Sequence, residues 1–258
     1  MNTKWLLTGL AIILFNMPSQ AQEKKEINQK AQFWWSINST TRFSEKLGMI
    51  ADFHTRRDDF IKDINFYFAR AGFAFWASDK LTLVGGYAHL WLAQPITDVG
   101  LVYKNENRVY QQAQWRQKEG KVTFVHRIRN EQRWRETLDT NGKVDQIGFS
   151  NRIRFLFSIA IPVFKNERLP IISIADELHF QFGKIIVLNT FDQNRTFIGI
   201  KQKITQNLSF DLGYMIVYQQ KPSGFEHDLN HTLRWFFYYS PDFRKLKKGP
   251  HYSIPGDE

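Results

Sequence analysis

From Phe149 to Ile161 the chain alternates with a period of two. Phe149, Ile153, Phe155, Phe157, Ile159 and Ile161 are apolar, with Asn151 the exception, while Ser150, Arg152, Arg154, Leu156, Ser158 and Ala160 fall between them. Successive side chains of a strand point to opposite faces, so one face is apolar and the other carries arginine and small residues. A helix would scatter the two arginines over nearly opposed directions. Ile171 to Gly183 repeats the pattern, with Ile172, Ile174, Leu178, Phe180 and Phe182 against Ser173, Ala175, Glu177, His179 and Gln181. Lys121 to Trp134 and Leu208 to Tyr218 follow it too. Segments of this kind are read near 31–43, 48–57, 63–76, 80–92, 106–117, 121–134, 146–161, 170–183, 192–204, 207–220 and 228–239.

Short turns are expected at 44–46, 77–79, 118–120, 165–169 and 205–207. Longer polar connections are expected near 58–63, 94–105, 135–145, 184–191 and 221–227. Long strands with one apolar face, joined by alternating short and long loops, predict an all-β fold: an antiparallel up-and-down transmembrane β-barrel. Trp34, Trp35, Trp76, Trp91, Trp134, Trp235, Tyr238 and Tyr239 lie near strand ends, where aromatic girdles are expected. A soluble sandwich usually has shorter strands. Bacterial barrels have an even strand number, so twelve strands are expected, with residues 22–31 supplying the extra one and ten as the alternative.

The amino terminus carries Lys4, an apolar run from Trp5 to Phe15, and the small-x-small site Ser19-Gln20-Ala21. This is the order of a cleaved signal peptide, too short to remain as a membrane span. The expected organisation is a signal peptide over 1–21, a barrel over 22–240 and a basic tail over 241–258. Export through Met1 to Ala21 directs the barrel to the outer membrane. Although the formal net charge is +10, an exported chain meets little nucleic acid, which excludes that partner. With no cysteine, a disulfide scaffold, a zinc Cys/His site and a lipoprotein anchor are excluded. The tail holds Arg244, Lys245, Lys247 and Lys248 and leaves the strand pattern.

Several motifs fall in a recognisable order. They are Trp34-Trp35, Gly85-Gly86-Tyr87-Ala88, the run His126-Arg127-Ile128-Arg129-Asn130-Glu131-Gln132-Arg133, Asp176-Glu177, and Phe191-Asp192-Gln193-Asn194-Arg195 followed by Gly199. With these the chain resembles the bacterial domain-of-unknown-function family numbered 2490 over nearly the whole mature sequence. The resemblance implies an exported, barrel-like protein and carries no activity with it.

The face opposite the apolar one collects Asp52, His54, Arg56, Arg70, Arg108, Arg116, Arg127, Arg129, Glu131, Arg133, Arg152, Arg154, Glu177, His179, Arg195, Lys201, Asp211 and Arg234. In a barrel this face is the lumen. Among these charges the bases outnumber the acids by twelve to four. The lumenal charge network is therefore assigned to Arg56, Arg70, Arg108, Arg127, Arg129, Glu131, Arg133, Arg152, Arg154, Glu177, His179 and Arg195. Glu131 and Glu177 are expected to accept hydrogen bonds from Arg129, Arg133, Arg152 and Arg154. Surplus guanidiniums attract anions, so the expected function is an anion-favouring pore or a cavity binding small anions or acidic sugars. The alternative is a plugged structural barrel, because arginine forks bracket carboxylates well. A third reading, an outer-membrane lipid hydrolase, lacks its nucleophile. His126, His231 and Asp176 break the apolar alternation, but no serine stands convincingly beside a histidine. No cofactor is implied, and Glu177-x-His179 alone is too thin for a metal site. Outer-membrane lipid is the remaining expected partner.

Overall fold

The computed structural model describes residues 25–244 apart from 165, 167 and 168. The expected signal peptide and the tail beyond residue 244 lie outside the described residues. Eleven strands form: β1 (Glu26–Arg42), β2 (Leu47–Asp58), β3 (Asp63–Trp76), β4 (Leu81–Ile96), β5 (Gly100–Glu119), β6 (Val122–Leu138), β7 (Val144–Ile161), β8 (Ile171–Phe182), β9 (Phe191–Lys203), β10 (Leu208–Gln220) and β11 (Glu226–Tyr239). Each is antiparallel to its sequence neighbour, and β1 closes the barrel against β11. No helix is present among the described residues.

Closure corrects the expected strand number. The structure has eleven strands, neither twelve nor ten, because β1 and β11 pair in parallel from Glu26↔Glu226 to Ser39↔Tyr239. An even count is required only if every pair is antiparallel. One parallel seam removes that requirement and puts the start of β1 and the end of β11 on opposite rims. The rim where β1 starts, here the upper rim, holds turns 59–62, 97–99, 139–143, 183–190 and 221–225; the lower rim holds 43–46, 77–80, 120–121, 162–170 and 204–207.

The expected contrast of loop lengths disappears as well. Segments 94–105 and 135–145 are mostly strand, because β4 runs to Ile96, β5 begins at Gly100 and β6 continues to Leu138. Their polar residues pair across the sheet despite weak propensity, as with Gln94↔Val102 and Thr137↔Gln146. Past β11 the chain keeps hydrogen bonding instead of leaving the barrel. Arg42 N donates to Pro241 O at 3.2 Å and Phe243 N to Arg42 O at 2.9 Å.

The barrel is inverted relative to a soluble protein. Outside, Phe73 is 80% exposed, and Ile128, Phe155, Ile198 and Leu233 are exposed around it. Inside, nine arginines and lysines and seven acids are buried. Three of the aromatics expected in girdles, Trp34, Trp76 and Tyr238, instead occupy lumenal positions, because they share the parity of the inward residues on their strands. Trp35, Trp91, Trp134, Trp235 and Tyr239 have the outward parity.

Candidate functional site: the arginine–carboxylate lumen

The candidate residues come from β2, β3 and β5 to β9. Register sets their neighbours: Glu131 lies opposite Arg152, Arg129 opposite Arg154, Arg108 opposite Arg133, and Glu177 opposite Arg195. Two of these cross-strand pairs set arginine against arginine, which is unfavourable unless acids intervene. The diagonals supply those acids. Glu131 accepts from Arg152 Nε at 2.9 Å and Nη2 at 2.5 Å, and from Arg154 Nη1 at 2.8 Å. Glu177 accepts from Arg127 Nη2 at 2.8 Å and from Arg154 Nε and Nη2 at 3.0 and 2.7 Å. His179 Nε2 lies 2.9 Å from the same carboxylate, and Arg195 Nη1 3.6 Å from it. Arg154 thus bridges both acids with its fork.

Two expected donors go elsewhere. Arg129 gives Nε and Nη2 to Gln112 Oε1 at 2.8 and 2.5 Å, and its Nη1 stands 3.9 Å from Glu131. Arg133 turns to Glu106, with Nε 2.5 Å from Oε1, and Arg108 Nε donates to the same oxygen at 2.7 Å. Arg70 pairs with Asp52 outside this lattice. Arg56 sits apart, its guanidinium 3.3 Å from the Trp34 ring centroid and 4.4 Å from that of Phe66, with no carboxylate partner among the described residues. All twelve candidate side chains therefore border the lumen, but eight interlock through carboxylates, Arg129 is held by Gln112, Arg195 approaches Glu177 only at 3.6 Å, Arg70 pairs separately and Arg56 stacks on aromatics.

Two acids of the lattice, Glu106 and Asp192, are not among the lumenal residues that alternation assigns. Glu106 has the same parity as Arg108, but it opens the expected segment 106–117, next to the expected long connection 94–105. Asp192 is harder. Even positions of β9, such as Asn194 and Ile198, face outward. The register slips between His179 and Phe180, so Phe180 pairs with Phe191 and His179 with Gln193. This bulge turns Asp192 inward, where it accepts from Arg152 Nη1 at 2.9 Å. The buried acids, Asp52, Glu106, Glu131, Glu177, Asp192, Asp211 and Asp228, leave a much smaller basic excess than twelve against four.

The family described as "Protein of unknown function (DUF2490)" matches residues 31–229. The chain belongs to this family. No curated protein matches. Among solved structures, "NanC porin structure in rhombohedral crystal form" aligns at a TM-score of 0.46 and 11% identity, covering 77% of this chain and 92% of that one.

In this DUF2490 chain two of the motif glycines, Gly86 and Gly199, serve packing, while a Cβ on Gly85 would meet open space. A Cβ on Gly86 would lie 2.7 Å from Tyr110 Oη and 2.6 Å from the Gly72 Cα, so the buried Tyr110 fits only over bare backbone. Gly199 likewise leaves space for the Phe197 ring. The three exceptions to the apolar alternation face outward. Asp176 accepts from Thr196 Oγ1 at 2.7 Å and Asn194 Nδ2 at 3.0 Å, Tyr214 Oη lies 2.5 Å from His231 Nδ1, and His126 packs on Phe157.

Above the lattice a cavity of about 260 Å³ reaches the upper rim. Arg56, Arg135 and Arg195 line it with the amides Gln181, Gln193, Gln219 and Asn230. Arg135 reaches only Ser150 Oγ, at 3.4 Å, and has no carboxylate within ion-pair distance among the described residues.

Proposed function

We propose that the mature protein is an outer-membrane barrel whose lumen is an anion-binding vestibule, closed at mid-height by the arginine–carboxylate lattice. A wall that exposes phenylalanine and isoleucine while burying arginine suits lipid outside, since water would favour the reverse. The observation that carries anion binding is the group of Arg56, Arg135 and Arg195 around the upper cavity. Glu106 and Asp192 border the same space, but both are engaged by Arg133 and Arg152. The remaining guanidiniums therefore set a positive potential there. Their fork geometry suits carboxylate, sulfate or phosphate, and the surrounding amides suit the hydroxyls of an acidic sugar.

Arg127 at 2% exposure and Glu131 at 3% support closure, because a water-filled path would wet them. The vestibule and the anion-pore readings share this lumen and differ in whether the lattice parts. Protein refolded into a planar bilayer and titrated with sulfate or glucuronate distinguishes them. Saturable binding without sustained conductance is expected, and Arg56→Gln with Arg195→Gln is expected to abolish the binding. Steady anion current through wild-type protein selects the pore. Recovery of the native protein as a soluble periplasmic species, or sulfate binding unaffected by both changes, overturns the proposal.

A further inference from the structure

The lower rim encloses a second cavity, of about 610 Å³, separated from the first by the lattice. One of its walls is apolar although it lies in the lumen. Ile50, Ala74 and Val84 are buried there with Trp76 packed against them. They come from the lower ends of β2, β3 and β4, where Ala74 pairs with Val84 and Gly48 with Ala74. Alternation assigns these positions to the same face as Asp52 and Arg70, yet near this rim they carry no polar group. A packed core needs no such hollow, and an aqueous lumen needs no such wall.

The mouth is basic. Arg244 is satisfied by Asp242 and by Glu45 Oε2 at 2.6 Å. Arg42 stacks 4.3 Å over Trp76 and donates to Glu45 O at 2.5 Å. Lys46 and Lys80, in adjoining turns, line the same cavity and have no carboxylate partner among the described residues. The floor is Gln112, whose Oε1 is already held by Arg129. The space therefore joins an apolar wall to two uncommitted ammonium groups at its opening, within the size range of small-molecule sites.

We infer that this lower cavity binds a small amphipathic carboxylate. Its hydrocarbon part lies against Ile50, Ala74, Val84 and Trp76, and its carboxylate meets Lys46 and Lys80 at the mouth. The inference goes beyond the upper anion site and needs no passage between the two cavities. A bare anion gains nothing from the apolar wall, and a neutral hydrocarbon gains nothing from the lysines.

The test uses the mature protein in lipid nanodiscs, titrated calorimetrically with 1-naphthoate, with empty nanodiscs subtracted. Saturable naphthoate binding is expected, with 1-naphthamide and sulfate each about tenfold weaker at this site. Ala74→Trp fills the hollow and should abolish naphthoate binding when combined with Arg56→Gln and Arg195→Gln, which remove the upper carboxylate site. Lys46→Gln with Lys80→Gln changes only exposed turn residues, keeps the fold intact and should weaken naphthoate by about tenfold. Arg56→Gln with Arg195→Gln removes the proposed upper site and should leave naphthoate affinity unchanged, which separates the two claims. Absence of saturable binding, affinity unaltered by the lysine changes, or sulfate binding as tight as naphthoate at this site overturns the inference.

Discussion

The lumenal face of β5–β8 and that of β9–β11 with β1 obey the same alternation but fill the barrel with different chemistry. On β5–β8 charged side chains dominate the inward face, with Tyr110, Gln112 and Gln114 of β5 between them, and each acid is shared by two or more arginines. On the other wall Trp34, Phe197, Met215, Val217, Phe236 and Tyr238 form a buried apolar cluster, threaded by the ion pair Arg234–Asp211 at 2.9 Å and by Lys201 over the Tyr238 ring. Alternation thus decides which side chains point inward and leaves open what holds them together. A shared-acid lattice fails as a unit, because deleting one acid strands several desolvated guanidiniums. An apolar cluster fails locally, residue by residue.

The largest expected effect follows from that difference. Glu131→Gln leaves Arg152 and Arg154 without their common acceptor in a dry interior, a loss of about 3–5 kcal/mol. Denaturant titration of the refolded protein measures it. A midpoint equal to wild type would mean that water reaches the lattice and that the two walls do not differ in kind. Second in size is the coupling within the lattice. Glu131→Gln and Glu177→Gln share Arg154, so their combined cost should depart from the sum by about 0.5–3 kcal/mol. Glu131→Gln combined with Met215→Ala, across the lumen, should be additive to within about 0.5 kcal/mol. Equal coupling in both double variants would erase the comparison. A smaller effect is expected from Tyr238→Phe. Its hydroxyl donates to Asp211 Oδ2 at 2.9 Å and accepts from Arg234 at 3.1 Å, so its removal should cost about 1–2 kcal/mol.

The difference between the walls also marks how far the sequence could be read. Strand existence and facing were legible, because residues such as Arg152, Arg154 and Glu177 alternate with phenylalanine and isoleucine over long runs. The parallel seam was not, since nothing local in Glu26–Arg42 or Glu226–Tyr239 distinguishes a parallel partner from an antiparallel one. Asp192 was hidden for a related reason. A bulge is a property of two paired strands, and its one extra residue reverses the facing that parity assigns. Glu106 has the right parity but stands at the edge of the polar stretch 94–105, whose strand pairing is a case of tertiary context overriding propensity. Trp34, Trp76 and Tyr238 were assigned to girdles by residue type, when parity had already turned them inward.

The smallest stability effect should accompany the largest change in binding, at Arg56. Unlike the lattice arginines it holds no carboxylate; it stacks on Trp34 at 3.3 Å and on Phe66 at 4.4 Å. Such contacts contribute about 0.5–2 kcal/mol. Arg56→Gln forfeits them but leaves no acid stranded and relieves repulsion from neighbouring guanidiniums such as Arg195. The net change in the denaturation midpoint should therefore fall within about 1 kcal/mol, a small fraction of the Glu131→Gln loss. Sulfate affinity at the upper cavity should nevertheless fall by about tenfold or more, because a fork available to the ligand has been removed. Paired denaturation and calorimetric titrations of this one variant read both quantities. A large stability loss would assign Arg56 to the lattice, and an unchanged sulfate affinity would remove it from the site. The expected pairing, with stability kept and affinity lost, is possible only if the lumen divides its arginines between holding the barrel closed and holding an anion.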